Sequence, residues 1–351
     1  MAKVIFIMTD SQRYDMVNAN VSTGLRTPCL DSLAARGMRF TRAYTTQPVC
    51  QPARCALFTG MYPHSCNSWT NSSALSSDVH TIGQRLRDHG IRTAYIGKWH
   101  LDGGDYFGLG RCPDGWDPAY WYDMRNYLDE LTPEERTASR HDTTMQTQDI
   151  PSSFTYAHRC TDRAVQFLQE HGQESDFLLC VSYDEPHDPY LCPQEYWKPY
   201  EDFVFPSAPN VADTLDGKPD YQKVWAGQKL DQERTNVQIR APYYFGCNSF
   251  VDSQIGRVLD AADTFAGEDT IVFYTSDHGD FLESHCLTGK GPAAYDEITR
   301  IPLFIKGPGI ASGSVSSAPV SHINLAPTVL DLFGLQCPPV FPGNSLLPQL
   351  Y

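Results

Sequence analysis

The chain has 351 residues, of which 41% are hydrophobic and 20% are charged, proportions typical of a globular protein. Its formal net charge of −15 at pH 7 argues against a nucleic acid or an anionic membrane as partner. An anionic substrate would therefore need a locally positive site, built from a few of the 27 lysines and arginines. The length allows one large α/β domain or two smaller ones.

The eleven cysteines are scattered and odd in number, and no two are spaced as Cys-x-x-Cys. This pattern is typical of reduced thiols and not of a disulfide framework or a zinc ribbon. Residues 4–8 form an apolar run that is too short for a signal peptide and predicts a buried strand. No stretch of the sequence has the length and apolar character of a membrane span, so we expect a cytoplasmic protein.

The strand predicted at residues 4–8 is followed by Asp10, an acidic group just past its carboxyl end. Ligands commonly bind at that position in a parallel α/β sheet, although Asp10 also suits a simple turn or a helix cap. A short helix is predicted next, with Thr27 as N-cap, Pro28 at the first position and Gly37 past its end. Residues 38–44 then predict a strand that leads into a loop.

Residues 50–54 read Cys-Gln-Pro-Ala-Arg, with Thr-Gly at 59–60. A helix that begins at about Pro52 places Arg54 one turn from Cys50 on the same face. Cys50 then lies at a helix N-terminus, where free N–H groups and the helix dipole favour negative charge. Such a helix end, with a guanidinium beside the sulfur, is a place where a tetrahedral oxyanion can bind. A buried cysteine near an arginine in a surface pair would give the same spacing.

An amphipathic helix at residues 80–89 and a strand at 91–96 come next, and the strand ends in Gly-Lys-Trp-His. Lys98 and His100 are candidates for a polar site because they lie just past a carboxyl end. An exposed lysine and a hydrogen-bonded histidine are the alternative. Residues 102–148 are rich in loops and aromatic rings, which either stack on a sugar or aryl group or anchor a long insertion.

A helix at residues 156–171 precedes a strand at 177–183, after which the chain reads Asp-Glu-Pro-His-Asp-Pro-Tyr. His187 in this segment lies between two prolines that fix the backbone. It is either a functional group or a histidine hydrogen-bonded within a rigid turn. Residues 192–232 are irregular and contain proline and aromatic residues, and we expect a loop that shapes a substrate cleft.

The last third of the chain repeats the pattern of a strand followed by polar residues. A long helix at residues 243–262 precedes a strand at 270–275, and Asp277 and His278 follow its end. Lys290 lies farther on, in a Gly-Lys-Gly-Pro segment. Two more elements are predicted, a strand at 301–305 and a helix at 324–334.

Six of these segments, in this order, resemble the motifs of the type I, formylglycine-dependent sulfatases of the alkaline phosphatase superfamily. The clearest is Cys-x-Pro-(Ser/Ala)-Arg at residues 50–54. The others are the strand with its aspartate, Gly-Lys-x-His, Pro-His-x-Pro, Asp-His and the glycine-flanked lysine. The resemblance implies one catalytic α/β domain over residues 1–351, with a central, mostly parallel sheet flanked by helices. We expect the family's small C-terminal subdomain to be short or absent, because the sequence stops at Tyr351.

The resemblance also implies a role for each candidate side chain. Cys50 is oxidised before folding to formylglycine, whose hydrated aldehyde is the nucleophile, so a formylglycine-generating enzyme is an expected partner. The implied catalytic set is Cys50, Arg54, Lys98, His100, His187 and Lys290. In this set Arg54 steadies the formylglycine, and the lysines and His100 bind sulfate oxygens. His187 either donates a proton to the leaving group or binds sulfate. One divalent cation is implied at Asp10, Asp277 and His278.

Ser11 departs from the family pattern, which often places a second aspartate there. The cation site is then one carboxylate short, and Gln12 or a water is expected to fill the gap. Oxygen ligands favour Ca²⁺, while the imidazole and the missing carboxylate leave Mn²⁺ or Zn²⁺ open.

The resemblance implies hydrolysis of a sulfate monoester on a small anionic substrate, a sulfated sugar or an aryl sulfate. Basic side chains and the cation stabilise the charge that develops on the sulfate oxygens. One diol hydroxyl attacks sulfur and His187 protonates the departing alkoxide, after which the second hydroxyl collapses to the aldehyde and expels sulfate. Two alternatives stay open. One is a phosphonate monoester or phosphodiester hydrolase of the same superfamily, and the other is an unmodified, inactive anion-binding relative.

Overall fold

The computed structural model describes residues 2–103, 106–140, 148–206, 208–231 and 237–351. The strands in these ranges are β1 (Lys3–Thr9), β2 (Met38–Phe40), β3 (Ala43–Tyr44), β4 (Arg92–Gly97), β5 (Phe177–Ser182), β6 (Thr270–Ser276), β7 (Arg300–Ile301), β8 (Leu303–Lys306), β9 (Ser314–Ser316) and β10 (Val320–Ser321). The α-helices are α1 (Pro28–Arg36), α2 (Cys50–Thr59), α3 (Ile82–Arg87), α4 (Met124–Asp129), α5 (Pro133–Arg140), α6 (Tyr156–His171), α7 (Gln194–Trp197), α8 (Asp220–Ala226), α9 (Pro242–Ala261), α10 (Asp296–Thr299), α11 (Leu325–Leu332) and α12 (Leu347–Leu350).

Seven strands form one twisted sheet in the order β4-β5-β1-β6-β8-β2-β9. The first four of these are parallel to one another, whereas β8 is antiparallel to both of its neighbours. This confirms the predicted central, mostly parallel sheet. Because parallel strands end at the same edge, the segments after β1, β4, β5 and β6 are brought together there. A second, small sheet has the order β10-β3-β7.

Helices cover both faces of the large sheet, and its central strands β1, β5 and β6 are correspondingly buried and mostly apolar. In β1, Val4, Phe6 and Met8 pack into one layer of the core, while Ile5 and Ile7 pack into the other. The layer around Ile5 contains residues of α1, α6 and α9. The opposite layer contains residues of α2, α3 and α11. The position of α2 on one face points its N-terminal end at the carboxyl edge of the sheet.

Two predicted strands are each divided in the structure. Residues 38–44 contribute β2 to the large sheet and β3 to the small one, so the chain passes from one sheet to the other at about Thr41. Residues 301–305 are interrupted at Pro302, which has no N–H to donate to a neighbouring strand. The carbonyl of Pro302 instead accepts a hydrogen bond from Thr275 at 2.9 Å.

The start of α2 and the conformation of the glycine after α1 both differ from the prediction. Helix α2 begins at Cys50 and not at Pro52, because the N–H groups of a first turn have no partner within the helix and a proline is tolerated there. Gly37 follows α1 as predicted, but its φ of −140° is not left-handed. A Cβ at Gly37 would lie 2.4 Å from the carbonyl oxygen of Ile305, so this glycine permits close approach to β8.

The long connections contain more structure than the sequence predicts. The stretch 192–232, predicted as a loop, includes α7 and α8 in its described part. In the stretch 102–148, Trp116, Tyr122 and Tyr127 are buried in the core, so these rings anchor the insertion. Residues 104–105 and 141–147 of that stretch, and residues 207 and 232 of the later one, lie outside the described residues.

The structure pairs none of the eleven cysteines in a disulfide. Within the described ranges, no helix combines the length and the apolar character that a membrane crossing requires. Neither finding tests the expected cytoplasmic location, which stays a prediction.

Candidate active site

Four buried side chains meet at the carboxyl edge of the sheet. Asp10 follows β1, Asp277 and His278 follow β6, and Cys50 is the first residue of α2. Each of the four offers one potential ligand atom, and these atoms all lie within 4.8 Å of one another. The structure thus brings together three residues predicted to bind a cation and the residue predicted to become the nucleophile.

Arg54 connects this cluster to the surrounding strands. Its Nε lies 3.1 Å from Asp277 Oδ2 and its Nη2 lies 3.0 Å from Asp10 Oδ2. Its Nη1 donates to the carbonyl of Lys98 and, at 2.8 Å, to the hydroxyl of Ser182. The side chain is fully buried, so the guanidinium pairs with two carboxylates in an environment where an unpaired charge would be very costly.

The Sγ of Cys50 lies 3.2 Å from His278 Nε2 and 3.8 Å from Asp10 Oδ1. In a formylglycine-containing protein this atom marks where an oxygen of the hydrated aldehyde would lie. Burial and the Asp10 carboxylate raise the pKa of the Cys50 thiol, but Lys290, Lys98 and His278 outweigh them and hold it well below its ordinary value. This position therefore favours an anion.

The arrangement of His278 fits a metal ligand. Its Nδ1 lies 2.8 Å from the carbonyl of Gly279, so Nδ1 carries a proton and Nε2 faces the cluster, where its lone pair would bind a cation in place of a second proton. Nε2 lies 3.7 Å from Asp10 Oδ1 and 3.6 Å from Asp277 Oδ1. Burial and the neighbouring Asp10 raise the pKa of Asp277 to about 7, and a cation between the carboxylates would favour their ionised forms. The residues present fit a divalent cation.

Ser11 and Gln12 both have other partners than a cation. The Ser11 hydroxyl donates to Asp10 Oδ1 at 2.8 Å and also receives a hydrogen bond from Lys290 Nζ at 3.0 Å. The side-chain oxygen of Gln12 accepts from the hydroxyl of Tyr274, and its amide nitrogen lies 2.5 Å from Asn248 Oδ1. The expectation that Gln12 replaces the missing carboxylate is therefore not supported by its contacts, because both ends of its amide are engaged elsewhere.

Two lysines face the same carboxylate. Lys98 Nζ lies 2.7 Å from Asp10 Oδ2, and Lys290 Nζ lies 3.6 Å from Asp10 Oδ1. Burial raises the pKa of Asp10, but the charges of Lys98 and Lys290 outweigh it and hold the pKa well below its ordinary value. The two ammonium groups therefore stabilise the ionised form of Asp10.

The position of Lys98 depends on the residue before it. Gly97 ends β4 with a φ of +123°, and a Cβ there would lie 1.9 Å from the carbonyl oxygen of Ser182. Only glycine fits between β4 and β5 at this point. The close approach brings the turn that carries Lys98 directly against the end of β5.

His100 is buried, with 3% of its surface exposed, and has a φ of +56°. Neither of its ring nitrogens has a hydrogen-bond partner among the residues that the structure describes. An unsatisfied buried donor costs about 1–3 kcal/mol, so this imidazole is suited to a bound ligand. Its predicted contact with sulfate oxygens stays a prediction.

His187 lies outside the cluster around Cys50, on the loop that follows β5. Its Nδ1 lies 2.9 Å from Asp188 Oδ1 and 3.4 Å from the hydroxyl of Tyr106. Burial and the charges of Lys290 and Lys98 lower the pKa of His187, but carboxylates that include Asp10 and Asp188 outweigh them and raise it to about 9. The imidazole therefore carries a proton that it can donate at neutral pH.

Three residues that the sequence analysis gave no role also lie in this region: Tyr106, Arg140 and Asp184. Asp184 was detectable in principle, because it follows the end of β5 just as Asp10 and Asp277 follow the ends of β1 and β6. Tyr106 is one of the aromatic rings of the loop-rich insertion between β4 and α6, for which stacking on a substrate and anchoring were both left open, while Arg140 in the same insertion gave no signal.

The fold places the chain in a known structural class. The solved phosphonate monoester hydrolase of Agrobacterium radiobacter superposes with a TM-score of 0.80 at 23% identity, over 100% of this chain and 77% of that chain. A solved complex with the substrate D-glucosamine-2-N,6-O-disulfate superposes with a TM-score of 0.75 at 22% identity, over 99% of this chain and 80% of that chain. These superpositions show that the chain shares the fold of both proteins.

Sequence comparison narrows the class to a family. The family model described as Sulfatase matches residues 2–335. A relative described as an uncharacterized sulfatase, YidJ of Escherichia coli K12, is 45% identical over 348 residues, which are 98% of this chain and 70% of that protein. The N-acetylglucosamine-6-O-sulfatase of Bacteroides thetaiotaomicron is 26% identical over 416 residues, or 99% of this chain and 70% of that protein. The chain belongs to the sulfatase family of sulfuric ester hydrolases.

Proposed function

We propose that this protein hydrolyses a sulfate monoester on a carbohydrate, using a formylglycine made from Cys50 and one divalent cation. This proposal rests on the identity of the side chains that surround the Cys50 sulfur. Lys98, Lys290 and His278 together make this buried position favourable for an anion. These contacts support a site in which the nucleophile made from Cys50, the cation and the two lysines surround the sulfate group.

The cation is expected at Asp10, Asp277 and His278. Carboxylate oxygens favour Ca²⁺, and the single imidazole is also compatible with Mn²⁺ or Zn²⁺. When bound, a divalent cation supplies Lewis-acid polarisation of sulfate oxygens and stabilises the charged form of the nucleophile.

The basic side chains divide into two groups. The N–H groups of Arg54 donate to Asp10, Asp277, Lys98 and Ser182, so Arg54 orients the cluster and holds α2 against the sheet. The groups suited to binding sulfate oxygens are the ammonium groups of Lys98 and Lys290 and the imidazole of His100, whose nitrogens have no hydrogen-bond partner among the described residues. Fixed cations aimed at the oxygens on which charge develops are the largest catalytic contribution that such a site offers.

His187 is suited to protonating the leaving group. Its pKa of about 9 keeps it charged at neutral pH, and its loop flanks the cluster without belonging to it. A sugar alkoxide is a poor leaving group, so a positioned acid is needed when the ester bond to sulfur breaks. After the transfer the alcohol departs neutral, and His187 regains its proton from solvent.

The carbohydrate assignment draws support from the relatives. One relative is an N-acetylglucosamine-6-O-sulfatase, and a fold neighbour was solved with a disulfated glucosamine. The formylglycine, and with it a formylglycine-generating enzyme as partner before folding, draws support from family membership and from the Cys-x-Pro-Ala-Arg segment at the start of α2.

A phosphonate monoester hydrolase is the second candidate, because a solved enzyme with that activity superposes with a TM-score of 0.80. The experiment that decides is a comparison of kcat/KM on a glucosamine sulfate, an aryl sulfate and an aryl phosphonate with the same purified protein. We expect the sulfate esters to be preferred, and a preference for the phosphonate would reject the proposal.

A mass spectrum of the peptide that carries Cys50 tests the modification. Formylglycine is lighter than cysteine, so the modified peptide has a distinct mass. A peptide with an unmodified thiol, from a host that has the generating enzyme, would favour an inactive anion-binding relative.

A further inference from the structure

We propose that Asp184 is a positioning residue that holds Lys98 directly, and His187 through Tyr106, on the leaving-group side of the sulfate site. This inference rests on the proposed function, because it assigns Asp184 to the support of two side chains proposed to act there. Asp184 belongs neither to the predicted catalytic set nor to the four-residue cluster of Asp10, Cys50, Asp277 and His278.

The carboxylate of Asp184 is buried, with 3% of the residue exposed, and both of its oxygens are used. Oδ1 lies 3.1 Å from Lys98 Nζ and accepts a hydrogen bond from the hydroxyl of Tyr106. Oδ2 lies 3.3 Å from Nη1 and 3.4 Å from Nη2 of Arg140, the last residue of α5. One carboxylate thus joins groups from three separate segments of the chain to the loop that carries His187.

Tyr106 extends this arrangement to His187. Its hydroxyl oxygen lies 3.4 Å from His187 Nδ1, and the two ring centroids are 5.1 Å apart. Lys98 Nζ lies 3.9 Å from the centroid of the same ring, a cation–π distance. The Tyr106 ring therefore contacts both the lysine proposed to bind sulfate and the histidine proposed to donate the proton.

The charge balance shows why a carboxylate is useful here, although it repels an anionic substrate. Lys98 lies between two carboxylates, at 2.7 Å from Asp10 Oδ2 and 3.1 Å from Asp184 Oδ1. A lysine side chain has many rotamers, and its ammonium follows the nearest unopposed negative charge. With Asp184 neutral, Lys98 would turn towards Asp10 and away from the leaving group. Asp184 thus sets the direction of Lys98 by opposing Asp10.

A purely structural role would give a different pattern of effects. In that case Asp184 would serve only to attach α5 to the domain through Arg140. Replacing Asp184 or Arg140 would then have the same consequence, because each change removes the same ion pair. The proposal predicts that the two replacements differ.

The test compares Asp184→Asn with Arg140→Gln as the matched control, both checked for an unchanged Tm. Asp184→Asn keeps the shape and an acceptor oxygen for Tyr106 but removes the charge. We expect its kcat on a sugar sulfate to fall about ten- to hundredfold and its KM to rise, because Lys98, which is proposed to bind sulfate, and His187 both lose their positions. Arg140→Gln should change kcat by less than about threefold, and Asp184→Glu should recover part of the lost kcat.

Crystal structures of the two variants give a readout that does not depend on turnover. We expect Lys98 Nζ and the Tyr106 hydroxyl to move in Asp184→Asn and to stay in place in Arg140→Gln. Unmoved side chains in Asp184→Asn, or equal losses of kcat in the two variants, would overturn the proposal. If the wild-type protein hydrolyses no sulfate ester, the proposed function fails, and the crystal structures still decide whether Asp184 positions Lys98.

Discussion

The Sγ of Cys50 lies 3.2 Å from the Nε2 of His278, although 228 positions separate the two residues in the chain. The contact places the first residue of α2 in the same cluster as the residues that end β6. The sulfur lies among polar groups and not in the apolar layer beneath them. Replacing Cys50 should therefore change the chemistry of the cluster and not the packing of the core.

We expect Cys50→Ala to lower turnover at least about 10⁴-fold while the fold is kept, because removal of a nucleophile eliminates the covalent route. The measurement is kcat on a sulfate ester with purified protein whose circular dichroism and Tm match the wild type. Cys55→Ala is the matched control, since Cys55 lies in the same helix, is also buried and belongs to the apolar core. Turnover near the wild-type value in Cys50→Ala would remove this residue from the mechanism.

We expect one divalent cation per chain, and we expect Asp10→Asn to abolish it. Elemental analysis gives the stoichiometry, and the Tm measured with and without a chelator gives the coupling to folding. At a cation concentration about 100 times Kd, binding adds about 2.7 kcal/mol to the free energy of unfolding. Asp280→Asn, which changes a neighbouring aspartate outside the four-residue cluster, should still bind the cation. Two tightly bound ions per chain would contradict the single site.

His187→Ala is expected to affect substrates according to their leaving groups. General acid catalysis contributes about 10²- to 10⁴-fold, so hydrolysis of a sugar sulfate should fall by that order. A nitrophenyl sulfate needs little protonation and should be slowed much less. With the wild type, kcat on the sugar sulfate should fall as the pH rises above about 9, because His187 loses its proton there. Equal slowing of both substrates would mean that the acid is another group, with Lys290 the next candidate.

Arg54→Gln is expected to destabilise the fold as well as the site. The change leaves two buried carboxylates without their guanidinium, and loss of one partner from a buried ion pair costs about 3–5 kcal/mol. Urea unfolding in the presence of a chelator measures this cost without a contribution from bound cation. Arg36→Gln breaks a half-exposed pair with Asp263 and should cost no more than about 1 kcal/mol. Similar costs in the two variants would contradict the buried role of Arg54.

We expect the titration of Asp252, which lies outside the active site, to make the stability of the protein depend on pH. Its carboxylate on α9 accepts from the backbone N–H groups of Cys29 and Leu30 in the first turn of α1, and burial raises its pKa from 3.8 to about 7. Between about pH 4 and pH 7 the folded protein therefore binds more protons than the unfolded chain. The contribution of Asp252 to the free energy of unfolding therefore falls as the pH rises through that window.

Urea unfolding at several pH values between 4 and 7 measures this effect. Asp252→Asn should reduce the slope of unfolding free energy against pH in this window. Asp263→Asn is the control, because its pKa is lowered and its titration lies below the window, so the slope should not change. An unaltered slope in Asp252→Asn would show that the carboxylate is ionised throughout.

Local sequence patterns predicted most helices and strands of the fold. They did not predict where a strand is divided between two sheets. Helix α6 was predicted with the bounds that the structure gives, because its apolar positions repeat with the helical period, and the structure adds Thr155 as its N-cap. The division of residues 38–44 between two sheets depends on which distant strands lie alongside. No local pattern contains that information, since strand pairing is set by tertiary contacts.

The same distinction holds for the site. Asp10 and Asp277 were noticed because each follows a predicted strand, and Cys50 because it lies at a predicted helix start four residues before Arg54, while their roles came from the resemblance to the sulfatases. Of the partners of Asp184, Lys98 was among the predicted residues, whereas the contacts with Tyr106 and Arg140 were not predicted, because these two residues belong to an insertion without regular periodicity. The actual partners of Gln12 were also missed, since Tyr274 and Asn248 lie far away in the sequence.

Gly97 is a position at which we expect no substitution to be tolerated. With the Ser182 carbonyl 1.9 Å from where a Cβ would be, any other residue would have to separate β4 from β5. That separation would displace Lys98 and, through the turn, His100, while leaving both of those side chains chemically intact. In a saturation library selected for activity we expect position 97 to accept glycine alone, whereas Gly90, which has open space around it, should accept asparagine. An inactive homologue could therefore arise from one substitution that alters no group of the catalytic set.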